Sequence, residues 1–155
     1  SRNVHHELEV SVAIGSAVTA NNVEQGIVAA GLALDMTCRD IQQNAKSAGR
    51  PWETAKGFDL SAPCSGLQAI DWQAMQKLGE FRLKKNNTIV QRGYLEQMIW
   101  KLPDLIRELS KFTRLDYGDI ILTGTPAGVG PLISGDHLEA SMDGLSSTLD
   151  LTILS

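Results

Sequence analysis

The chain has 155 residues, 43% hydrophobic and 21% charged, with a formal net charge of −4. That length supports one domain with its own core, and the acidic balance argues against nucleic acid, whose phosphates select a basic face. No apolar run approaches the roughly 20 residues of a membrane helix, so no membrane partner is expected.

The chain opens abruptly on "SRNVHHELEV" and enters a strand almost at once, so further residues are expected upstream. "LEVSVAIG" (8–15) alternates and ends in Gly, which predicts a strand with Leu8, Val10, Val12 and Ile14 on one face and Glu7, Glu9, Ser11 and Ala13 on the other. Asn22 is a candidate N-cap for a short helix ending near Gly31. "LALDMT" (32–37) predicts a buried strand with Asp35 in its middle. "RDIQQNAKSAG" (39–49) predicts a helix stopped by Gly49 and Pro51, and residues 50–66 a loop rich in Gly, Pro and Ser.

"EFRLKKNNTIVQRG" (80–93) predicts a hairpin turning at Asn86-Asn87. Residues 94–115 read as an amphipathic helix that Pro103 kinks or restarts, with Leu95, Ile99, Leu102, Ile106 and Leu109 on the core or subunit-interface side. "GDIILTGTP" (118–126) predicts a buried strand entering a loop, and the tail two alternating strands about Asp143-Gly144. Without repeats or linkers, residues 1–155 form one expected domain. The mixed order of strands and few short helices favours an α+β class, mostly β with a mixed sheet, over a doubly wound α/β sheet.

Glu7 and Glu9 raise a chemical question. Side chains at i and i+2 of a strand share a face, about 6.6 Å apart along it, and two acids there can converge on one cation. Asp35 interrupts an apolar strand, where an unpaired carboxylate is costly and calls for a partner or a metal. Three carboxylates make a hard oxygen site suited to Mg²⁺, or Mn²⁺ in its place. The alternative is that Glu7 and Glu9 face solvent while Asp35 pairs with Arg39 or Lys56.

"VHHELEVSVAIG", "ALDMTCRDIQ", "GRPWETAKGFD" and "ILTGTPAGVGP", in that order, resemble the fumarylacetoacetate hydrolase family. The nearest likeness is to its smaller acylpyruvate and fumarylpyruvate hydrolases and related oxaloacetate decarboxylases, from about residue 4 to residue 154. The resemblance implies the family's C-terminal-domain fold and one divalent cation, usually Mg²⁺, on Glu7, Glu9 and Asp35. It implies that Arg39 and Gln42 face the ligand, three apart on one helical face, and that Lys56 and Thr125 contact the substrate.

The implied partner is a small 2-oxo acid, and a homodimer is implied as well. The reaction expected first is metal-dependent hydrolysis of a carbon–carbon bond in a 2,4-dioxo acid, with Lys56 stabilising the enolate. The alternatives are decarboxylation or tautomerisation of oxaloacetate-like acids, or a member that binds metal and ligand without turnover. The family's hydrolases carry a preceding lid helix with a water-activating His and Glu. His5 and His6 belong to the strand motif, where a packing or supporting role is read for both.

Other features carry less. "GTPAGVG" lacks the lysine of a phosphate-binding loop. Lys84-Lys85 reads as a solvated hairpin tip, and Trp52, Trp72 and Trp100 are too scattered to stack nucleic-acid bases. Cys38 and Cys64 form no Cys-x-x-Cys pair, and reduced thiols in a cytoplasmic protein are expected.

Overall fold

The computed structural model describes residues 3–19 and 21–154. The strands are β1 (Val4–His6), β2 (Leu8–Ile14), β3 (Ile27–Leu34), β4 (Thr37–Cys38), β5 (Gln68–Ala69), β6 (Phe81–Lys85), β7 (Thr88–Gly93), β8 (Ile120–Leu122), β9 (Gly130–Pro131), β10 (His137–Met142) and β11 (Leu149–Thr152). The helices are short: α1 (Val23–Gly26), α2 (Arg39–Ser47), α3 (Glu53–Lys56), α4 (Trp72–Met75) and α5 (Leu102–Leu109), with a 3-10 turn at Leu95–Gln97. The strands form three sheets, ordered β4-β1-β9, β11-β10-β6-β7 and β5-β3-β2-β8. The α+β, mostly β class expected from the sequence is the one observed. The sheets expected to be mixed pair antiparallel throughout the described residues.

One core joins the two larger sheets. Leu8, Val10, Val12 and Ile14 of β2 and Leu32 and Leu34 of β3 cluster with Leu83 of β6 and Leu138 and Ala140 of β10. Burying each Leu contributes about 1.5–3 kcal/mol. All seven residues of β2 are buried, and β3 and β8 pair with its two edges. Its second face, with Glu9 and Ser11, is therefore covered as well.

Several expectations need correction. The predicted helix over 22–31 is helical only at Val23–Gly26; from Ile27 the chain is strand β3. Pairing with β2 over its length overrides the helical reading of "IVAAG". Asp35 lies just past the end of β3, not in mid-strand, and Thr37–Cys38 pairs separately with β1. The loop at 50–66 contains the one-turn helix α3. The long helix over 94–115 reduces to the 3-10 turn and α5, with Pro103 in the first turn of α5. That break leaves Ile99 98% exposed, not in the core. The predicted strand over 118–126 is confined to Ile120–Leu122, and residues 143–148 separate β10 from β11.

The hairpin forms as expected, with Asn86 and Asn87 both at positive φ (50° and 66°), the geometry of a two-residue turn that follows strand twist. Asn86 also ties the hairpin to a distant turn: its side-chain amide donates to Asp136 Oδ1 at 2.7 Å. Asp136 Oδ2 accepts from the Ile133 amide at 3.0 Å and faces Lys85 at 3.4 Å. The Ile133 hydrogen bond leads the interactions that hold this buried carboxyl below the usual carboxylate range.

Asp136→Ala should therefore destabilise the fold by about 1–3 kcal/mol in urea unfolding at neutral pH, the scale of hydrogen bonds to a charged group. Because the folded-state pKa is depressed, the Asp136 contribution is full above the unfolded-state value near 3.9 and is lost as pH falls through the depressed one. A difference between wild type and variant that widens on acidification would contradict this assignment.

Candidate metal and substrate site

Strand register assembles the acids. In the β2–β3 pair Glu9 lies opposite Ala33 and Leu8 opposite Leu34, and the Asp35 amide donates to the Glu7 carbonyl at 2.9 Å. Asp35 thus falls opposite Glu7, on the face that Glu7 shares with Glu9. Oxygens of Glu7, Glu9 and Asp35 lie within 4.8 Å of one another. Glu7 and Glu9 are buried, so the solvent-facing alternative fails for them. Its other half, an ion pair from Asp35 to Lys56, is present.

Two cations close the cluster. Lys56, at the end of α3, donates from Nζ to Glu7 Oε2 at 2.8 Å and to Asp35 Oδ2. Arg39, at the start of α2, donates from Nη2 to Glu7 Oε1 at 2.6 Å and from Nη1 to Gln42 Oε1 at 2.7 Å. The i,i+3 spacing on α2 does bring Arg39 and the buried Gln42 together.

The electrostatics follow from these contacts. Burial would raise the Glu7 carboxyl, but hydrogen bonds from Lys56 and Arg39 outweigh it and the net shift is downward. Burial would lower the Lys56 ammonium, but Asp35 and Glu7 outweigh it and keep the charge on. Among the described residues no cation is hydrogen-bonded to Glu9, and the charge of Lys56 acts on it only weakly. Burial, reinforced by the charges of Asp35 and Glu7, pushes it up to about 7, although the Gly124 amide donates to its Oε2 at 2.6 Å. Three close carboxylates, one of them poorly compensated, form an all-oxygen donor set that can hold a hard divalent cation such as Mg²⁺ or Mn²⁺.

The 123–126 loop completes the site. The Thr123 hydroxyl donates to the Val10 carbonyl at 2.9 Å and pins the loop to β2. Gly124 reaches Glu9, and Thr125 follows it. Further on, Gly128 has φ of 101°, and a Cβ there would lie 2.2 Å from the Val90 carbonyl oxygen, so only Gly lets the loop lie against β7.

Gln91 escaped the reading of the sequence. It is buried on β7, and its Oε1 accepts from the Leu8 amide at 3.0 Å and from His6 Nδ1 at 2.9 Å. Its Nε2 donates to Thr125 Oγ1 at 2.9 Å and to the Pro126 carbonyl at 3.1 Å. One side chain thereby locks the backbone between Glu7 and Glu9 to the loop carrying Thr125. His6 is buried, and that burial lowers its pKa despite the Gln91 hydrogen bond, so it serves as a neutral donor in the packing. His5 bonds to Asn3 at 3.0 Å. Alternation placed Gln91 in a hairpin; nothing local announced a partner 83 residues away.

The comparisons with known proteins bear on the family and the fold. The family model described as Fumarylacetoacetate (FAA) hydrolase C-terminal matches residues 1–150. An oxaloacetate tautomerase of Escherichia coli (strain K12) is 45% identical over 150 residues, 94% of this chain and 68% of its own. A mitochondrial oxaloacetate tautomerase of Homo sapiens is 40% identical over 150 residues, 95% of this chain and 68% of its own. The crystal structure of a fumarylpyruvate hydrolase from Pseudomonas aeruginosa, in complex with Mn²⁺ and pyruvate, superposes with a TM-score of 0.88 at 33% identity. That match covers 98% of this chain and 66% of the hydrolase. The chain thus spans about two thirds of the length of these proteins.

Gln91→Leu should leave the Leu8 amide and His6 Nδ1–H unpaired and cost about 2–4 kcal/mol in urea unfolding, roughly the sum of two buried unsatisfied donors. Gln91→Glu keeps the acceptor and, when protonated, also the donor to Thr125 and Pro126, so below its pKa it should cost less. Equal losses for the two variants would show that the Leu8 and His6 hydrogen bonds are not what holds the strand.

Proposed function

The chain belongs to the fumarylacetoacetate hydrolase family, and from that premise we propose that it binds a divalent cation at Glu7, Glu9 and Asp35 and interconverts the keto and enol forms of a 2-oxo acid of the oxaloacetate type. The observation that carries this reading is the convergence of the three acids around Lys56. The identity to oxaloacetate tautomerases from a bacterium and from a mitochondrion supports the choice of reaction. Assembly as a homodimer in the cytoplasm belongs to the same reading.

A bound Mg²⁺ or Mn²⁺ would supply Lewis acidity towards the oxygens of the 2-oxo acid. The remaining work falls to the chain. An ammonium has three N–H donors; two of those on Lys56 are engaged by Glu7 and Asp35, and the third is available to the oxygen on which enolate charge develops. Arg39 has five donors, and Gln42 and Glu7 fix the plane of its guanidinium, so its free edge can take the substrate carboxylate. The Thr125 hydroxyl, turned by Gln91, offers a further contact. The net change moves one proton between C3 and the carbonyl oxygen.

A second reading, hydrolysis of a carbon–carbon bond in a fumarylpyruvate-like 2,4-dioxo acid, draws on the likeness to the hydrolase solved with Mn²⁺ and pyruvate. Its leaving group is the enolate of pyruvate, which Lys56 would stabilise in the same way, but it also needs water activated for attack on the distal carbonyl.

Assays with oxaloacetate and with acetylpyruvate, with and without Mg²⁺ or Mn²⁺, separate the two. Metal-dependent interconversion of oxaloacetate tautomers is expected, abolished by EDTA and restored by Mn²⁺; activity indifferent to chelation would refute the proposal. Asp35→Ala should abolish Mn²⁺ binding in calorimetry, and an unchanged affinity would remove Asp35 from the ligand set. Lys56→Met should lower kcat by about 10²–10³ with Mn²⁺ affinity nearly intact. Parallel losses in both would mean that Lys56 only neutralises the acids.

A further inference from the structure

Beside the 123–126 loop lies a cavity of about 240 Å³. Its walls include Phe81, Tyr94, Met98, Trp100 and Leu105, and among the described residues none that lines it carries a charge. The cavity and the acid cluster share a wall. Gly124 and Thr125 line the cavity, while the Gly124 amide is hydrogen-bonded to Glu9 Oε2 at 2.6 Å. Gly124 and Thr125 thus border both, and the far end of a ligand whose 2-oxo acid head met the acids and Thr125 would lie next to the cavity.

The wall on the β6–β7 side is fixed. A Cβ at Gly93 would lie 2.9 Å from Phe81 Cζ and 3.1 Å from Pro126 Cβ, so the ring and the loop are packed directly on backbone. The other side is open. Trp100 is 52% exposed and Ile99 almost wholly so, which gives the mouth an apolar lip in the segment where the predicted long helix is broken.

We infer that this cavity is the subsite for an apolar or aromatic substituent at the distal end of the substrate. The inference rests on the 2-oxo-acid reading of the site and adds what lies beyond C4. An apolar cavity of about 150 Å³ suffices to bind benzene, so this one has room for an aryl ring. A second carboxylate entering it would meet no cation and would lose its hydration without compensation. A C4 dicarboxylic acid such as oxaloacetate has no apolar group to place there, so the cavity adds selectivity among longer 2-oxo acids, in favour of those with an apolar acyl group.

The test is steady-state kinetics with Mn²⁺ on oxaloacetate, acetylpyruvate and benzoylpyruvate, using wild type, Trp100→Ala, which removes a half-exposed wall, and Met98→Trp, which fills the space. Wild type is expected to show a higher kcat/KM with benzoylpyruvate than with acetylpyruvate. Both variants are expected to raise KM for benzoylpyruvate about tenfold, the scale of a lost apolar contact in a pocket, while KM for oxaloacetate and the Mn²⁺ affinity stay within about twofold. The oxaloacetate arm reads folding, since a misfolded variant loses all three substrates. Unchanged benzoylpyruvate kinetics in both variants, or equal losses on all three substrates in folded protein, overturn the inference and leave the 2-oxo-acid reading standing. Wild type that binds Mn²⁺ yet processes none of the three overturns both. Sedimentation that finds Trp100→Ala monomeric where wild type is dimeric, with benzoylpyruvate preference intact, assigns the apolar lip to contact between copies and also overturns the inference.

Discussion

Three carboxylates held within 4.8 Å of one another, two of them on buried residues, repel at short range in a medium that screens poorly. The fold imposes this arrangement through strand register: Glu7 and Glu9 share a face of the chain at β2, and the antiparallel partner delivers Asp35 opposite Glu7. A register shift of one residue would turn the acids to the opposite face. Lys56 and Arg39 relieve Glu7 and Asp35, but Glu9 is left with a backbone amide, and its carboxyl rises to about 7. The site has the charge pattern of a cluster completed by a divalent cation.

The surrounding structure serves to keep that pattern in place. β2 pairs with β3 along its length and with β8 at Ser11–Ala13, and on that second edge Gln91 takes up the Leu8 amide and Thr123 the Val10 carbonyl. The cations come from two helices that follow β3 in the chain, Arg39 from the first turn of α2 and Lys56 from the last residue of α3. Gln91 reaches from β7 to Leu8, to His6 and to Thr125, so one buried amide ties the acid strand, the β1 strand and the 123–126 loop together. A buried polar side chain with each of its groups satisfied adds rigidity where an unsatisfied one would weaken the fold.

Much of this was legible in the sequence because the signals were local. The i,i+2 spacing of Glu7 and Glu9, the Asn-Asn turn of the hairpin, the helix beginning at Arg39 and the Arg39–Gln42 spacing all depend on neighbours in the chain. The segment Ile27–Leu34 did not yield in the same way. It is apolar nearly throughout, and such a run satisfies a helix or a buried strand equally until its partner is known. Pairing with β2, fixed at long range, made it a strand. Ile99 misled for a related reason: it lies on the expected stripe, but the helix starts only at Leu102. Gln91, on an alternating strand, looked like an ordinary polar residue. Its importance comes from contacts 34 to 85 residues away, which no local pattern encodes.

The family resemblance and the bottom-up reading of the acids converge on the same three residues, and the chain's relatives include an oxaloacetate tautomerase and a fumarylpyruvate hydrolase. What the two reactions have in common is the enolate of a 2-oxo acid, and Lys56 beside the acid cluster is the group through which this chain would serve either. The most direct measurement is anomalous diffraction from crystals soaked in Mn²⁺. A single strong peak bonded to oxygens of Glu7, Glu9 and Asp35 is expected. A peak elsewhere, or acids still locked to Lys56 and Arg39 with no metal between them at saturating Mn²⁺, would contradict the account.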